Sequence, residues 1–129
     1  MSRTRQPTVE REYHNATADL TLSANDCGKT FGNVGASGTV IFTLPAAATA
    51  PMGGDIKFLA CADQTLTVSG TAGELIALND IAANTASLQT SSEKAGGAIL
   101  ATAVGSGTVP TKWHLSFQTE ETQTVTVTT

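Results

Sequence analysis

Apolar and polar residues alternate along most of this chain with the period of two that β-strands show. For example, Ile56, Phe58 and Ala60 fall on one face of an expected strand, and Lys57 and Leu59 fall on the other. Clusters of glycine, asparagine, aspartate and proline interrupt the alternation about every eight to twelve residues, the spacing found in sandwiches and barrels. The pattern predicts an all-β fold, a small antiparallel β-sandwich or barrel of jelly-roll type.

The alternation predicts strands at 19–23, 29–32, 38–44, 55–61, 64–69, 74–78, 97–104, 112–118 and 123–128. The strands 55–61 and 64–69, joined by a tight turn at Ala62-Asp63, form the clearest hairpin in the sequence. Residues 79–96 hold only two isolated large apolar residues, and they predict a loop that carries at most a short strand. Threonine and valine alternate over 122–129, which predicts that residues 119–129 form an edge strand or a tail that pairs with another subunit.

Residues 1–16 have no usable hydrophobic period, so we expect an extended N-terminal arm before a single β domain at 17–129. The arm contains Arg3, Arg5, Arg11 and Tyr13, and arginine and tyrosine are common anchors of protein interfaces. These four residues are therefore the candidate partner-binding residues. The alternative is a terminus without a partner, which is common for segments of this kind.

The composition points to a thin core. Only six of the 129 residues are aromatic, although large aromatic side chains usually dominate the packing of a small domain. Charged residues make up 14%, against roughly 25% in typical globular domains. Thin cores are often supported by oligomerisation, and a neutral surface of small residues suits contact with other subunits. We therefore expect an oligomer.

The distribution of charge argues against nucleic-acid binding. Residues 1–15 carry three arginines against two glutamates, whereas the remainder carries four lysines against nine acids. An acidic body offers no electrostatic footprint for a phosphate backbone. No apolar run approaches the roughly 20 residues of a membrane span, and the N-terminal residues lack the apolar segment of a signal peptide. Without an export route, Cys27 and Cys61 are expected to be free, buried thiols.

No constellation of catalytic or metal-binding residues is evident, so we expect no enzyme, no cofactor and no metal. The two histidines, His14 and His114, lie outside any cluster with ligand spacing. Gly32, Gly35 and Gly38 form a G-x-x-G-x-x-G loop, but this departs from the dinucleotide-binding fingerprint and leads into a strand. It predicts a flexible turn. A small β-barrel hydrolase is the least favoured alternative.

In its order of motifs, the chain resembles a β module of tailed-phage structural proteins, which occurs in capsid decoration (cement) proteins, head fibres and tail fibres. The matching motifs span most of the chain: Leu20-Thr21-Leu22, Gly28-Lys29-Thr30-Phe31, Val40 to Pro45, Ile56 to Ala60, Gln64 to Val68, Ala95 to Ala103 and Lys112-Trp113-His114. It departs from the pattern at Cys27, where a small polar residue is expected, and over 79–94.

The resemblance implies a structural virion protein on the capsid exterior, assembled in the host cytoplasm. Because the chain carries no coiled-coil shaft and no receptor-binding domain, a decoration protein is favoured over a tail fibre. Such proteins are similar in forming homotrimers that clamp neighbouring capsomers. The resemblance thus implies a homotrimer that binds the major capsid protein, with no nucleic-acid or membrane partner. The alternative is a head- or tail-fibre module that binds a host surface glycan.

Overall fold

The computed structural model describes residues 11–89, 95–119 and 124–129. These residues form two short 3₁₀ turns, Ala24–Asp26 and Ala47–Thr49, and the following strands: β1 Tyr13–Asn15, β2 Leu20–Thr21, β3 Thr30–Gly32, β4 Val40–Thr43, β5 Asp55–Leu59, β6 Leu66–Ser69, β7 Leu75–Ala77, β8 Asp80–Ala83, β9 Thr85–Gln89, β10 Ala98–Val104, β11 Lys112–Gln118 and β12 Thr124–Thr128.

Two sheets face each other across one core. Sheet A has the strand order β1-β3-β5-β10-β11-β7-β8, and sheet B has the order β12-β9-β6-β4-β2. The all-β sandwich predicted from the alternation is confirmed. The pairing is mixed, however, rather than antiparallel throughout. Strands β10 and β9 are each antiparallel to both of their neighbours, whereas the first six strands pair with one another in parallel.

The first six strands cross from one sheet to the other at every connection. In sheet A, β1 pairs with β3 and β3 with β5, and in sheet B, β2 pairs with β4 and β4 with β6, all in parallel register. Each pair of successive strands is therefore one turn of a flattened coil. The turns stack so that a side chain from one connection can reach the backbone of the next turn.

The predicted hairpin of 55–61 and 64–69 is wrong, because β5 lies in sheet A and β6 lies in sheet B. The alternation was correct in both strands: Ile56, Phe58, Leu66 and Val68 are all fully buried. They face one another across the core from the two sheets, whereas a hairpin would place them side by side in one sheet. Alternation identifies the buried face of a strand but not the sheet to which the strand belongs.

Residues 80–89 are more regular than predicted. They form β8 at the edge of sheet A and β9 inside sheet B, joined through Asn84. The inward positions are Ala83, Ala86 and Leu88, all fully buried. Two alanines among three inward residues give a weak hydrophobic signal, which explains why the sequence pattern predicted a loop.

Both ends of the described chain contribute edge strands. The tail strand β12 pairs antiparallel with β9 at the edge of sheet B, which selects the edge-strand alternative for the tail. At the other end, β1 pairs with β3, so the sheet begins at Tyr13 within the segment predicted to be an arm. His14 stacks on Phe31 with ring centroids 5.6 Å apart. Residues 1–10 lie outside the described residues.

The core has one aromatic cluster and one anchored tryptophan. Phe31, Phe42 and Phe58 lie within 5.1–6.0 Å of one another, centroid to centroid, where the two sheets meet. Trp113 is fully buried, and its indole N–H donates to the carbonyl of Pro45 at 2.8 Å. Much of the remaining interior is alanine, in keeping with the thin core expected from the composition.

Candidate functional site

Arg11 holds the root of the N-terminal segment against sheet A. Its guanidinium donates to the Thr30 hydroxyl at 2.9 Å, to the Asp55 carboxylate at 2.9 Å and to the Lys29 carbonyl at 3.0 Å. The three acceptors come from β3, from β5 and from the residue before β3. Because three of its donors are engaged within the chain, Arg11 acts as a staple that fixes β1 to the two strands beyond it.

Tyr13 covers a glycine on the outer face of sheet A. Its ring lies over Gly32, where a Cβ would collide with the phenol, and its hydroxyl donates to the Asn15 side chain at 2.7 Å. The ring remains 46% exposed. Burial, and then the neighbouring Cys61 thiol, raise the pKa of the Tyr13 phenol. The ring therefore packs on its own sheet and keeps one open side.

Of the four predicted partner-binding residues, the structure brings two together. Arg11 and Tyr13 lie at the β1 edge of sheet A, two residues apart on the same segment. Arg3 and Arg5 fall outside the described residues. The structure gives Arg11 and Tyr13 contacts within the chain.

Beside this edge lies a compact polar cluster. Asp26 accepts from the Lys29 ammonium at 2.9 Å and from the Ser23 N–H at 2.8 Å. Partial burial alone would raise the pKa of Asp26, but the Ser23 N–H and Lys29 together lower it. The hydrogen bond to Asp26 raises the pKa of Lys29. These groups satisfy one another and leave no free charge at this corner among the described residues.

Both cysteines are free. Cys27 is partly buried, and burial, followed by the nearby carboxylates of Asp55 and Asp26, raises the pKa of its thiol. Cys61 is exposed beside Tyr13, so the expectation that both thiols are buried is wrong for Cys61. Cys61 follows directly after the inward-facing Ala60 at the end of the alternating segment, where the chain turns out toward solvent.

The outer face of sheet A contains a small hollow that the sequence pattern did not single out. It has a volume of about 160 Å³ and is lined by Lys57, Ala98, Leu100, Ser116, Phe117 and Gln118. Leu100 lies on β10, the strand between β5 and β11. Its register partners are Lys57 on β5 and Ser116 on β11. The outward position of Lys57 follows from its alternation with Ile56 and Phe58. Its neighbours across the sheet depend on strand order, which the sequence does not reveal.

The outer face of sheet B has a different character. Apart from Ile41, two rows of outward positions across its strands carry hydroxyl side chains: Thr21, Thr43, Ser69, Thr85 and Thr128 in one row, and Thr67, Ser87 and Thr126 in the other. The hydroxyls of Thr67 and Ser87 lie 2.8 Å apart, and those of Thr85 and Thr128 are also hydrogen-bonded. These two rows form a neutral surface.

Within the described residues, no three His, Cys, Asp or Glu side chains are grouped closely enough to hold a metal ion. The helical turns in the same part of the chain are too short to cross a membrane. His14 pairs with Glu12 at the β1 edge, and His114 is exposed on β11. The hollow on sheet A and the hydroxyl rows on sheet B are the surfaces available for binding.

Comparison with known protein families gives no matching family model, and comparison with curated proteins gives no match either.

Proposed function

We propose that this chain is a capsid decoration protein of a tailed phage, which binds the outside of the head and stabilises the junctions between capsomers. The observation that carries the proposal is the staple at Arg11. It fixes the start of an arginine-bearing segment to one edge of a β-sandwich. A body with an extension rooted at a fixed point is suited to clamping neighbouring subunits, because less orientational freedom is lost on binding.

The proposed mechanism is mechanical. Copies of the sandwich, assembled as homotrimers, bury additional interface across capsomer boundaries on the major capsid protein and so offset the internal pressure of packaged DNA. The thin, alanine-rich interior supports the homotrimer, since small cores often depend on association for stability. The ordered series of phage-type motifs supports the location on the virion.

The segment before Arg11 supplies the arm contacts in this proposal. Arg3 and Arg5 match planar carboxylates on a capsid surface, because guanidinium groups form paired hydrogen bonds with them. The arm to be tested is residues 2–10. A deletion extending to residue 15 would also remove β1, the Arg11 staple and the stacking of His14 on Phe31.

The test measures binding of the purified full chain to expanded, undecorated heads. Saturation at hundreds of copies per head, visible by electron microscopy as density on the outer surface, supports the proposal. We expect deletion of residues 2–10 to leave the sandwich folded and to weaken binding at least tenfold, which is about 1.4 kcal/mol. A handful of copies confined to the tail, together with binding to host glycan, would instead support an adsorption module.

A further inference from the structure

The hollow on the outer face of sheet A combines an apolar floor with a cation at its rim. Ala98 and Leu100 supply the apolar surface, and Ser116 and Gln118 supply polar groups on one side. Lys57 stands on the other side, directly across from Leu100 in the β5–β10 register. Lys57 is partly buried, as is usual for a lysine whose methylene stem covers apolar surface while its ammonium stays in water.

The charge of Lys57 is not used elsewhere in the described chain. The nearest carboxylate on the same strand, Asp55, is engaged by Arg11 at 2.9 Å. The other described lysines differ: Lys29 pairs with Asp26, and Lys112 donates to the carbonyls of Gly73 and Ile81. Among residues 11–89, 95–119 and 124–129, the side chain of Lys57 has no hydrogen-bond or ion-pair partner; its backbone N–H donates to the Lys29 carbonyl. It is thus a cation placed beside an apolar hollow.

We propose that this hollow binds an acidic side chain of a partner protein, with the carboxylate on Lys57 and the methylene stem on Leu100 and Ala98. The hollow is several times larger than the space that one water molecule needs, so it has room for a small side chain. A glutamate side chain has that size. Its two chemical halves match the two halves of the site, which is the complementarity that small binding sites use.

We assign the acidic side chain to a different protein rather than to a second copy of this chain, on the basis of the carboxylates among the described residues. The described carboxylates of this chain already have partners: Glu12 pairs with His14, and Asp26 and Asp55 pair with Lys29 and Arg11. Glu74, Asp19 and Asp80 each accept from a backbone N–H. On the proposed function, on which this step rests, the partner is the major capsid protein.

The first experiment isolates the site from any partner. Butyrate, a carboxylate on a three-carbon stem, is titrated into the ¹⁵N-labelled full chain and followed by amide chemical shifts. We expect saturable shifts at Leu100, Ser116 and Phe117 that weaken as salt is added. Butyramide, which has nearly the same shape and no charge, is expected to bind at least tenfold more weakly.

Three variants decide the role of Lys57. Lys57→Met keeps the apolar stem and removes the charge, and it should abolish the shifts. Lys29→Gln removes the same charge at a distant corner and should bind butyrate like the unmodified chain. Ser116→Phe fills the hollow while leaving Lys57 in place, and it should also abolish binding. Equal butyrate affinity in Lys57→Met and the unmodified chain would overturn the site.

Two further outcomes would count against the proposal. The sequence has Glu120 and Glu121 shortly after Gln118. If the unmodified chain fails to bind butyrate and the double variant Glu120→Gln, Glu121→Gln does bind it, the chain's own glutamates are the occupants. If butyrate binds as expected and Lys57→Met still decorates heads at full affinity, the capsid is not the partner. A tenfold loss of decoration in Lys57→Met alone, with Lys29→Gln unaffected, supports the assignment.

Discussion

At the scale of single residues, polar side chains at the sheet-to-sheet corners connect successive turns of the parallel half. The Asn15 side chain accepts from the Val34 N–H at 2.8 Å and donates to the Val34 carbonyl at 2.9 Å. One turn later, the Asn33 oxygen accepts from the N–H groups of Cys61 and Ala62 at 2.6 and 3.1 Å. At a corner, backbone N–H and carbonyl groups lose their partners in the neighbouring strand, and each asparagine side chain supplies a hydrogen-bond partner in their place.

Asn33 is fully buried and is the most consequential of these residues. Replacing it with alanine leaves the Cys61 and Ala62 N–H groups without their acceptor, so we expect Asn33→Ala to lower the free energy of unfolding by about 2 kcal/mol. The loss is moderated because its amide nitrogen has no partner among the described residues. Urea denaturation measures the change. Asn25→Ala, at an exposed position, is the control, and an equal loss in both variants would contradict the prediction.

Tyr13 is the only tyrosine of the chain, so its ionisation can be followed directly by ultraviolet spectroscopy. Because burial and the Cys61 thiol raise its pKa, the phenol should ionise above its ordinary value of about 10. A raised pKa in the folded state means that stability is retained below pH 10 or so and declines as the pH rises through the folded pKa. Cys61→Ser should shift the titration part of the way back. A midpoint at or below that of a model tyrosine would contradict this account.

At the scale of elements, alternation predicted most strands within one to three residues, because alternating burial is a local property of a strand. Alternation failed to predict which strands pair with each other, and it failed to detect strands whose inward side chains are small. The partner of β5 depends on whether the 60–65 turn stays in one sheet or crosses to the other, and both choices bury the same side chains. It also missed β8 and β9, whose inward positions are largely alanine.

The same distinction separates the two candidate sites. Residue type predicted Arg11 and Tyr13 as partner-binding residues. Their contacts with Asp55 and Gly32 within the chain join separate strands and were not visible in the sequence. Lys57 was visible only as an outward residue. The hollow beside it arises from the order β5-β10-β11, which brings residues far apart in the sequence onto one face.

The Arg11 staple should govern the attachment of β1. Arg11→Gln breaks its ion pair with Asp55 and weakens the bonds to Thr30 and Lys29. Both charged groups are about a third exposed, so we expect a loss of about 1 kcal/mol, confined to this edge. Amide exchange should accelerate about fivefold at Ala16 and Thr30, whose N–H groups bond to Gly32 and Glu12 across the β1–β3 pair.

Glu12→Gln is the matched control for that experiment, because it alters the contact with His14 at the same edge and leaves the staple intact. Exchange at Trp113, which lies in the interior of sheet A, should be unchanged in both variants. If Arg11→Gln leaves exchange at Ala16 and Thr30 unaltered, backbone pairing alone holds β1 and the arm root is not fixed by the guanidinium.

At the scale of the whole molecule, the two ends of the sandwich differ. The N-terminal end carries β1 and β2 as the outer strands of the parallel half. The opposite end carries β8 and β12. There, Asn84 joins β8 to β9, and its N–H donates to the Thr128 carbonyl. With strands about 4.8 Å apart, the seven strands of sheet A span roughly 29 Å between these ends. The arm root and the tail strand therefore lie far apart on the body.

The two broad faces also differ, and this bears on the predicted homotrimer. The chain is acidic, with a net charge of −4, so copies that associate must avoid placing like charges together. Sheet A carries Asp55, Lys57 and Lys112 on its outer face, whereas the two described rows on sheet B are neutral. Sheet B is thus the broad face better suited to contact between copies, which leaves the Lys57 hollow open to a different partner.

We expect sedimentation at micromolar concentration to give about three times the 13.2 kDa of one chain. Ser87→Lys places a charge in the middle of the neutral face and should shift the protein toward monomer, because three buried ammonium groups would lack partners. Ser116→Lys makes the same change on the outer face of sheet A and should leave the mass unchanged. A trimer that survives Ser87→Lys would move the interface away from sheet B. If the unmodified protein is a monomer both in solution and on heads, the prediction of a homotrimer is wrong, and the thin core is stable without association.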